Sequence, residues 1–414
     1  MAMRILHFTT WTPDQSDTAS YFDIFLEKMA ETTEVHLAQL TPEPKVSRSF
    51  ALHDIGNSGH GKGDLFKIAR LKRKYLTLLY QVMPQIIHIH GCYDYASSRI
   101  MKWSIERGFT VVYSPYGGMN PQFIEQEYGM RTWKMILYQK AMTTKASCVV
   151  VSDKEEEVYL RSEKIADRIQ FIPDPRDGDY VDLDSFSANV LRLYQKILDT
   201  DKGTHLDKCC HEAVSALLHV SMAGEQERKP LCPEDILNLR AITPRQWRDI
   251  MIYSSEQGIG SHLMEGIARA QLQIPSFDPD KIEQFPARTP KEKGRLEDKK
   301  LLSNSWLTKR KLKRLSNVDP LIRRICIMLF NLSHHSQKQT LCLRHLCDLY
   351  EVFRFEDFDE DLLKELLENI GLLPFARRIC QVLSETIYLE QGFMPVPELD
   401  DGGTSEIRTN LIKY

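Results

Sequence analysis

The chain predicts an α/β fold: a Rossmann-like parallel sheet domain followed by a mainly α-helical second half. Three observations predict it. Up to about residue 175, short apolar runs rich in strand formers alternate with segments of helical spacing. Polar residues and glycines gather at the C-terminal ends of those strand runs, at Thr9–Thr12, His88–Asp94 and Ser114–Asn120. Beyond Asp179, strand-like runs nearly vanish.

Arg4–Thr10 is the first apolar run, closed by the turn signal Trp11-Thr-Pro-Asp. Phe22, Phe25, Leu26 and Met29 then recur at helical spacing within Tyr21–Glu31. Glu34–Leu40 reads as a second strand, and Leu65–Val82 as a basic amphipathic helix. Gln85–His90 is a compact strand ending at Gly91, followed by a helix over Ala96–Arg107. Thr110–Ser114, Ala146–Ser152 and Ile169–Pro173 are further strands, with helices near Thr132–Thr143 and Asp153–Arg161. Parallel neighbours need crossover connections, so this alternation implies βαβ units and one parallel sheet. Such sheets bind ligands beyond the carboxyl ends of their strands.

In the second half, Leu183–Thr200, His205–Met222, Pro233–Leu239, Pro244–Ser255 and Ile259–Leu272 fit helices, with Thr243 as an N-cap before Pro244. Pro275, Pro279, Pro286 and Pro290 mark a linker, which runs into the basic Lys299–Arg314 segment. Helices follow near Leu321–Ser333, Gln339–Phe353, Glu360–Ile370 and Pro374–Tyr388. The expected domains are 1–178 (Rossmann-like), 179–274 (helical), 275–318 (linker), 319–391 (helical) and 392–414, a disordered tail.

The 414 residues exceed one average domain of roughly 100–200 residues. A net charge of -3 gives no bulk attraction to nucleic acid, so nucleic acid is not an expected partner. Nine cysteines, an odd number without framework spacing, do not read as a disulfide scaffold. The start lacks a signal-peptide layout, and no apolar run reaches the ~18–20 residues of a membrane span. The expectation is a cytoplasmic protein, with peripheral association at the inner membrane left open.

Three stretches, in order, carry a family resemblance. Pro84-Gln-Ile-Ile-His-Ile-His-Gly-Cys ends a strand on a His-x-His element. Ser114-Pro-Tyr-Gly-Gly-Met-Asn-Pro is similar to a Ser-Pro-His-Gly-Met-x-x-Pro stretch, with Tyr116 at the histidine position. Ala146-Ser-Cys-Val-Val-Val-Ser-Asp-Lys-Glu-Glu-Glu leads from a strand into a helix start, with Ser152 and Glu155 in a capping-box pattern. Together, over about residues 3–175, they resemble the N-terminal, acceptor-side domain of family-4-type GT-B glycosyltransferases. The resemblance implies a glycosyltransferase-like protein linked to bacterial polysaccharide biosynthesis. It also implies a nucleotide-sugar donor, with no tightly bound cofactor and no metal. A glycan or lipid-linked saccharide would be the acceptor.

The chain departs from the family in three places. The turn Pro13-Asp-Gln-Ser-Asp-Thr-Ala-Ser has no glycine, Pro175 stands where a glycine is expected, and no recognisable donor-side half follows. A non-catalytic binding or scaffold protein is therefore the alternative reading, its helical half making protein contacts.

His90, at the strand end, is the candidate catalytic residue, able to orient or stabilise charge on an acceptor hydroxyl; a structural histidine is the competing reading. His88 is read as facing away from it. Asp94, Tyr116, Gly117, Gly118 and Asn120 are the substrate-binding candidates. For Asp94 the competing role is a carboxylate at a helix N-terminus, and for Gly117-Gly118 a plain turn. Cys209-Cys210-His211 and Cys342, His345 and Cys347 lack the spacing of a structural zinc site and read as core residues. Lys299–Arg314 offers an anionic membrane surface a contact, against the reading of a solvated helix face.

Overall fold

The computed structural model describes residues 2–10, 17–40, 48–56, 64–126, 128–174, 182–223, 231–287, 291, 293–296 and 300–412. The chain divides into two compact units, Met1–Leu198 and Asp199–Tyr414. The expected boundary at residue 178 lies earlier than the observed one, because the first helix after it belongs to the first unit.

That unit runs β1 (Arg4–Thr9), α1 (Asp17–Ala30), β2 (Glu34–Gln39), β3 (Ala51–Asp54), α2 (Asp64–Val82), β4 (Ile86–His90), α3 (Tyr95–Ile105) and β5 (Val111–Ser114). It continues through α4 (Pro121–Gln126), α5 (Tyr128–Lys134), a π-helical turn (Met135–Gln139), α6 (Lys140–Lys145), β6 (Cys148–Val151), α7 (Lys154–Ser162), β7 (Ile169–Phe171) and α8 (Leu183–Asp199). The seven strands form one parallel sheet in the order β3-β2-β1-β4-β5-β6-β7. The predicted Rossmann-like sheet is present. The strand order reverses between β1 and β4, the switch point where such sheets leave a crevice.

Side-chain alternation divides each central strand between two cores. Leu6 and Phe8 of β1, with Ile87 and Ile89 of β4, join Tyr75 and Leu79 of α2 and Ile100 and Trp103 of α3 in one apolar cluster. The opposite face of the same strands is aromatic and polar. His7 lies against Phe22 and Phe25 of α1 and Tyr194 of α8, and Phe25 meets Phe186 edge-on. Docking of this aromatic face holds α8 to the sheet unit.

The second unit contains α9 (Lys208–Ser221), α10 (Pro233–Ala241), α11 (Pro244–Gln257), α12 (Gly260–Arg269), α13 (Trp306–Lys313), α14 (Pro320–Gln337), α15 (Leu343–Phe355), α16 (Glu360–Ile370), α17 (Leu373–Ile387) and α18 (Gly402–Ile412). Among its described residues there is no strand. Thr243 caps α11 as expected, in a reciprocal capping box with Gln246. Gly266 of α12 lies against α9 so closely that a Cβ there would stand 2.2 Å from the Leu217 carbonyl oxygen.

Two expectations for this half need correction. The supposed linker contributes Leu296 and Leu315 to the core, and the Leu296 amide donates to Asp348. The supposed disordered tail forms α18, with Ile407 and Leu411 buried. No helix among the described residues is long and apolar enough to cross a membrane.

Candidate functional site

The switch point carries three histidines. His7 of β1 pairs in register with His88 of β4, and His90 follows two residues later. Residues two apart on a strand point to the same side. The expectation that His88 faces away from His90 is therefore corrected: their ring centroids are 4.0 Å apart.

Each ring is fixed by partners of its own. His7 Nδ1 lies 2.8 Å from His90 Nε2, and the two rings stack. His90 Nδ1 is 2.9 Å from the Tyr116 hydroxyl. His88 is held from both sides, with Nδ1 2.5 Å from the Tyr194 hydroxyl and Nε2 2.7 Å from Ser114 Oγ. Burial removes the water that would solvate an imidazolium. It lowers the His7 pKa to about 3 and those of His88 and His90 well below the ordinary value, with repulsion between neighbouring rings adding to the shift for His88 and His90. The cluster is thus neutral at pH 7.

His90 itself is fully buried. Its Nδ1 bonds the hydroxyl of Tyr116, which is half-buried. A cavity of ≈ 20 Å³ is lined by His88, Ser114, Tyr116 and Ser152 against Phe186 and Val190, space for about one water. In this conformation His90 holds the Tyr116 hydroxyl from the interior side.

That turn has a specific construction. Tyr116 and Gly117 both adopt positive φ, at 52° and 74°. Gly118 has no room for a side chain, since a Cβ would stand 1.9 Å from Cys92 Sγ. Glu156, in the first turn of α7, accepts from the Met119 amide at 2.8 Å and the Gly117 amide at 3.2 Å. Its pKa is raised to about 7 by burial, partly offset by those two amides. Asn120 is buried, and its amide group donates to Asp153 and Glu155 while its oxygen accepts from the Gln122 amide. Asn120 therefore braces the turn.

Asp94 caps α3, accepting from the Ser97 amide at 2.6 Å. The competing N-terminal role foreseen for it is the one observed. The expected Ser152–Glu155 capping box does not form, because Asp153 is the N-cap of α7 and accepts from the Glu155 amide. The Pro13–Ser16 turn and Pro175 lie outside the described residues. Sequence reasoning missed His7, Tyr194 and Glu156. His7 and Glu156 had one legible signal, a polar residue at a position the strand or helix pattern buries.

Among the described residues, two groups bring three potential metal ligands within 4.8 Å of one another: His7, His88 and His90, and Asp207, Cys209 and Cys210. In the first, the His7–His90 separation is that of a direct hydrogen bond, and both nitrogens of His88 are engaged. In the second, burial and the adjacent Cys209 push the Cys210 thiol up, which disfavours the thiolate a metal needs. The second unit has a larger cavity of ≈ 420 Å³, but its arginines are matched by acids. Arg269 meets Glu265, Arg295 meets Glu351 and Arg324 meets Glu356. The basic segment forms α13, where Lys309, Arg310 and Lys313 are exposed.

Neither a protein-family model nor a curated protein matches the sequence. Two solved structures of sucrose-phosphate synthase from Thermosynechococcus elongatus are similar in part. One is 14% identical with a TM-score of 0.33, over 47% of this chain and 98% of its own. The other is 16% identical with a TM-score of 0.33, over 41% of this chain and 48% of its own, so the chain spans about half its length. A likeness at this level assigns no activity.

Proposed function

We propose that the chain is a glycosyltransferase-like binding protein, one that holds a saccharide at the switch point of its sheet and does not itself transfer a sugar. The observation that carries the reading is the make-up of the two units. The first has a parallel sheet whose crevice end bears Tyr116 and a braced glycine turn. The second, where a donor-side sheet would stand, is built of helices among its described residues.

The three ordered stretches of the resemblance support the ancestry. They end β4 and β5 and open α7, around one end of the sheet. The chemistry of the cluster supports binding over catalysis. A general base needs access to the proton it takes and a pKa near the working pH. His90 is buried and held far below that range. Tyr116 offers what saccharide recognition uses, a half-buried ring with a hydroxyl of fixed orientation. A link to polysaccharide assembly, with the helical unit contacting a protein partner, completes the proposal.

The test is a thermal-shift panel of oligosaccharides and nucleotide-sugars on the full chain. A saccharide is expected to raise the melting temperature, and Tyr116→Ala is expected to abolish that shift. A shift by a nucleotide-sugar, with release of its nucleotide, would overturn the reading in favour of a transferase.

A further inference from the structure

The segment from α5 through the π-helical turn into α6 turns a row of large apolar side chains outward. Its inward side combines apolar packing by Met135 and Met142 with buried polar contacts. Gln139 is buried, accepts from the Tyr93 amide at 2.8 Å and donates to the Tyr113 hydroxyl at 2.7 Å. Tyr138 donates to the Tyr93 carbonyl. Its outward side is apolar: Met130 is 67% exposed, Trp133 67%, Ile136 68% and Leu137 70%. These positions recur at three and four residues, so they share a face. Phe123 of α4 and Tyr95 are also exposed, and they adjoin this face through the Arg131 bond to the Phe123 carbonyl and the edge contact of Tyr95 with Tyr138.

The charge pattern selects among occupants. Between Tyr128 and Lys145 the chain carries Arg131, Lys134, Lys140 and Lys145 and no acid, in a protein whose net charge is -3. Two acids, Glu125 and Glu127, precede the segment in the sequence. Lys134 and Lys140 stand three or four residues from members of the apolar row, so two copies meeting through this face would bring like charges together, which opposes self-association. A surface with apolar depth and negative charge satisfies both halves of the pattern. We propose that the outward face of α5, the π-helical turn and α6 docks onto an anionic lipid bilayer, with Trp133, Ile136 and Leu137 entering the headgroup boundary and the basic side chains meeting lipid phosphates. This is a different surface from α13, which presents only Trp306 and Leu307 as exposed large apolar side chains, and it does not depend on the saccharide reading.

The experiment is flotation of the full-length protein with phosphatidylcholine vesicles, with and without phosphatidylglycerol, at low and at high salt. Wild-type protein is expected to float with the anionic vesicles and to be released by salt. The triple variant Trp133→Ser, Ile136→Ser and Leu137→Ser changes only exposed positions, and its fold is checked by its melting temperature. It is expected to lose binding by at least about tenfold. Lys134→Gln and Lys140→Gln are each expected to lower partitioning about fivefold. Lys309→Gln with Arg310→Gln, on α13, is expected to leave it unchanged. Absence of flotation at low salt would overturn the proposal. So would a triple variant that floats like wild type, or loss of binding through the α13 variant alone. A dimer that the triple variant dissolves, without lipid binding, would assign the face to self-association instead.

Discussion

His7 Nδ1 and His90 Nε2, on adjacent parallel strands, lie 2.8 Å apart in the interior of the first unit. That bond ties together two strands separated by more than 75 residues of sequence, at the point where the strand order reverses. The burial of His7 sets the acid response. His7 is held at about 3 against an ordinary value of 6.5, so below pH 6.5 the unfolded chain takes up a proton that the folded chain refuses. The stability this contributes is complete above pH 6.5 and is lost as pH falls towards 3. For His7 alone the loss at pH 5 is roughly 2 kcal/mol. The expected result is a melting temperature of the first unit that falls from pH 7 to 5, with no titration of His7 in NMR spectra above about pH 5 and none of His88 or His90 in the ordinary imidazole range. Titration of any of the three near pH 6.5 would contradict this account.

Glu156 works in the opposite sense. Its folded pKa, about 7, lies above the ordinary 4.5, so the folded state is favoured as pH falls from 7 towards 4.5 and penalised above 7. Glu156→Gln removes this term. The variant should gain on wild type as pH rises from about 5 to 8, by up to about 3 kcal/mol. Parallel melting profiles for the two proteins would show that Glu156 is ordinary. Glu156→Ala leaves the Gly117 and Met119 amides without their acceptor and should cost about 1–3 kcal/mol.

Gly118 and Cys92 form a steric pair. Gly118→Ala places a methyl group against Cys92 Sγ and should cost about 1–3 kcal/mol. Cys92→Ala removes the obstacle. The double variant should therefore recover most of the loss, measured as a coupling energy from denaturant melts. A double variant no more stable than additivity allows would place the cost elsewhere.

In the second unit Asp199 is buried between two cations. Its carboxylate accepts from Arg248 Nη1 at 2.9 Å and Nη2 at 2.6 Å, and from Lys202 Nζ at 3.1 Å. Burial alone would raise its pKa, but the Arg248 hydrogen bonds and the Lys202 charge outweigh that and lower it. Lys202 is as buried as its partner and also holds Asp249. Asp199→Ala removes the bidentate acceptor of Arg248 and leaves two cations sharing Asp249, and should destabilise the unit by about 3–5 kcal/mol. A change below about 1 kcal/mol in urea unfolding would mean the network relaxes into water.

Local pattern was enough for the elements and too little for the site. The runs that became β1, β2, β4, β5, β6 and β7 were apolar and compact, so their burial was legible. β3 was not, because Ala51–Asp54 is a partly exposed edge strand without a buried face. His88 and His90 were visible as residues, and the two-residue period of a strand places them together. His7 could not be joined to them, because the β1–β4 register depends on pairing across the fold. The same holds for Glu156, whose partners sit near the end of a different strand. The tail looked disordered because Pro395, Pro397 and a Gly-Gly pair outweighed its few apolar residues, yet Val396, Ile407 and Leu411 are buried.

The central claim is that this chain binds at the switch point without transferring a sugar. The most direct measurement is release of nucleotide from a panel of nucleotide-sugars, with and without saccharide acceptors, at high protein concentration. The account predicts no release above the protein-free rate, and none gained or lost in Tyr116→Ala or His90→Gln. Turnover of any one donor by wild-type protein, abolished in His90→Gln with the fold intact, would contradict it.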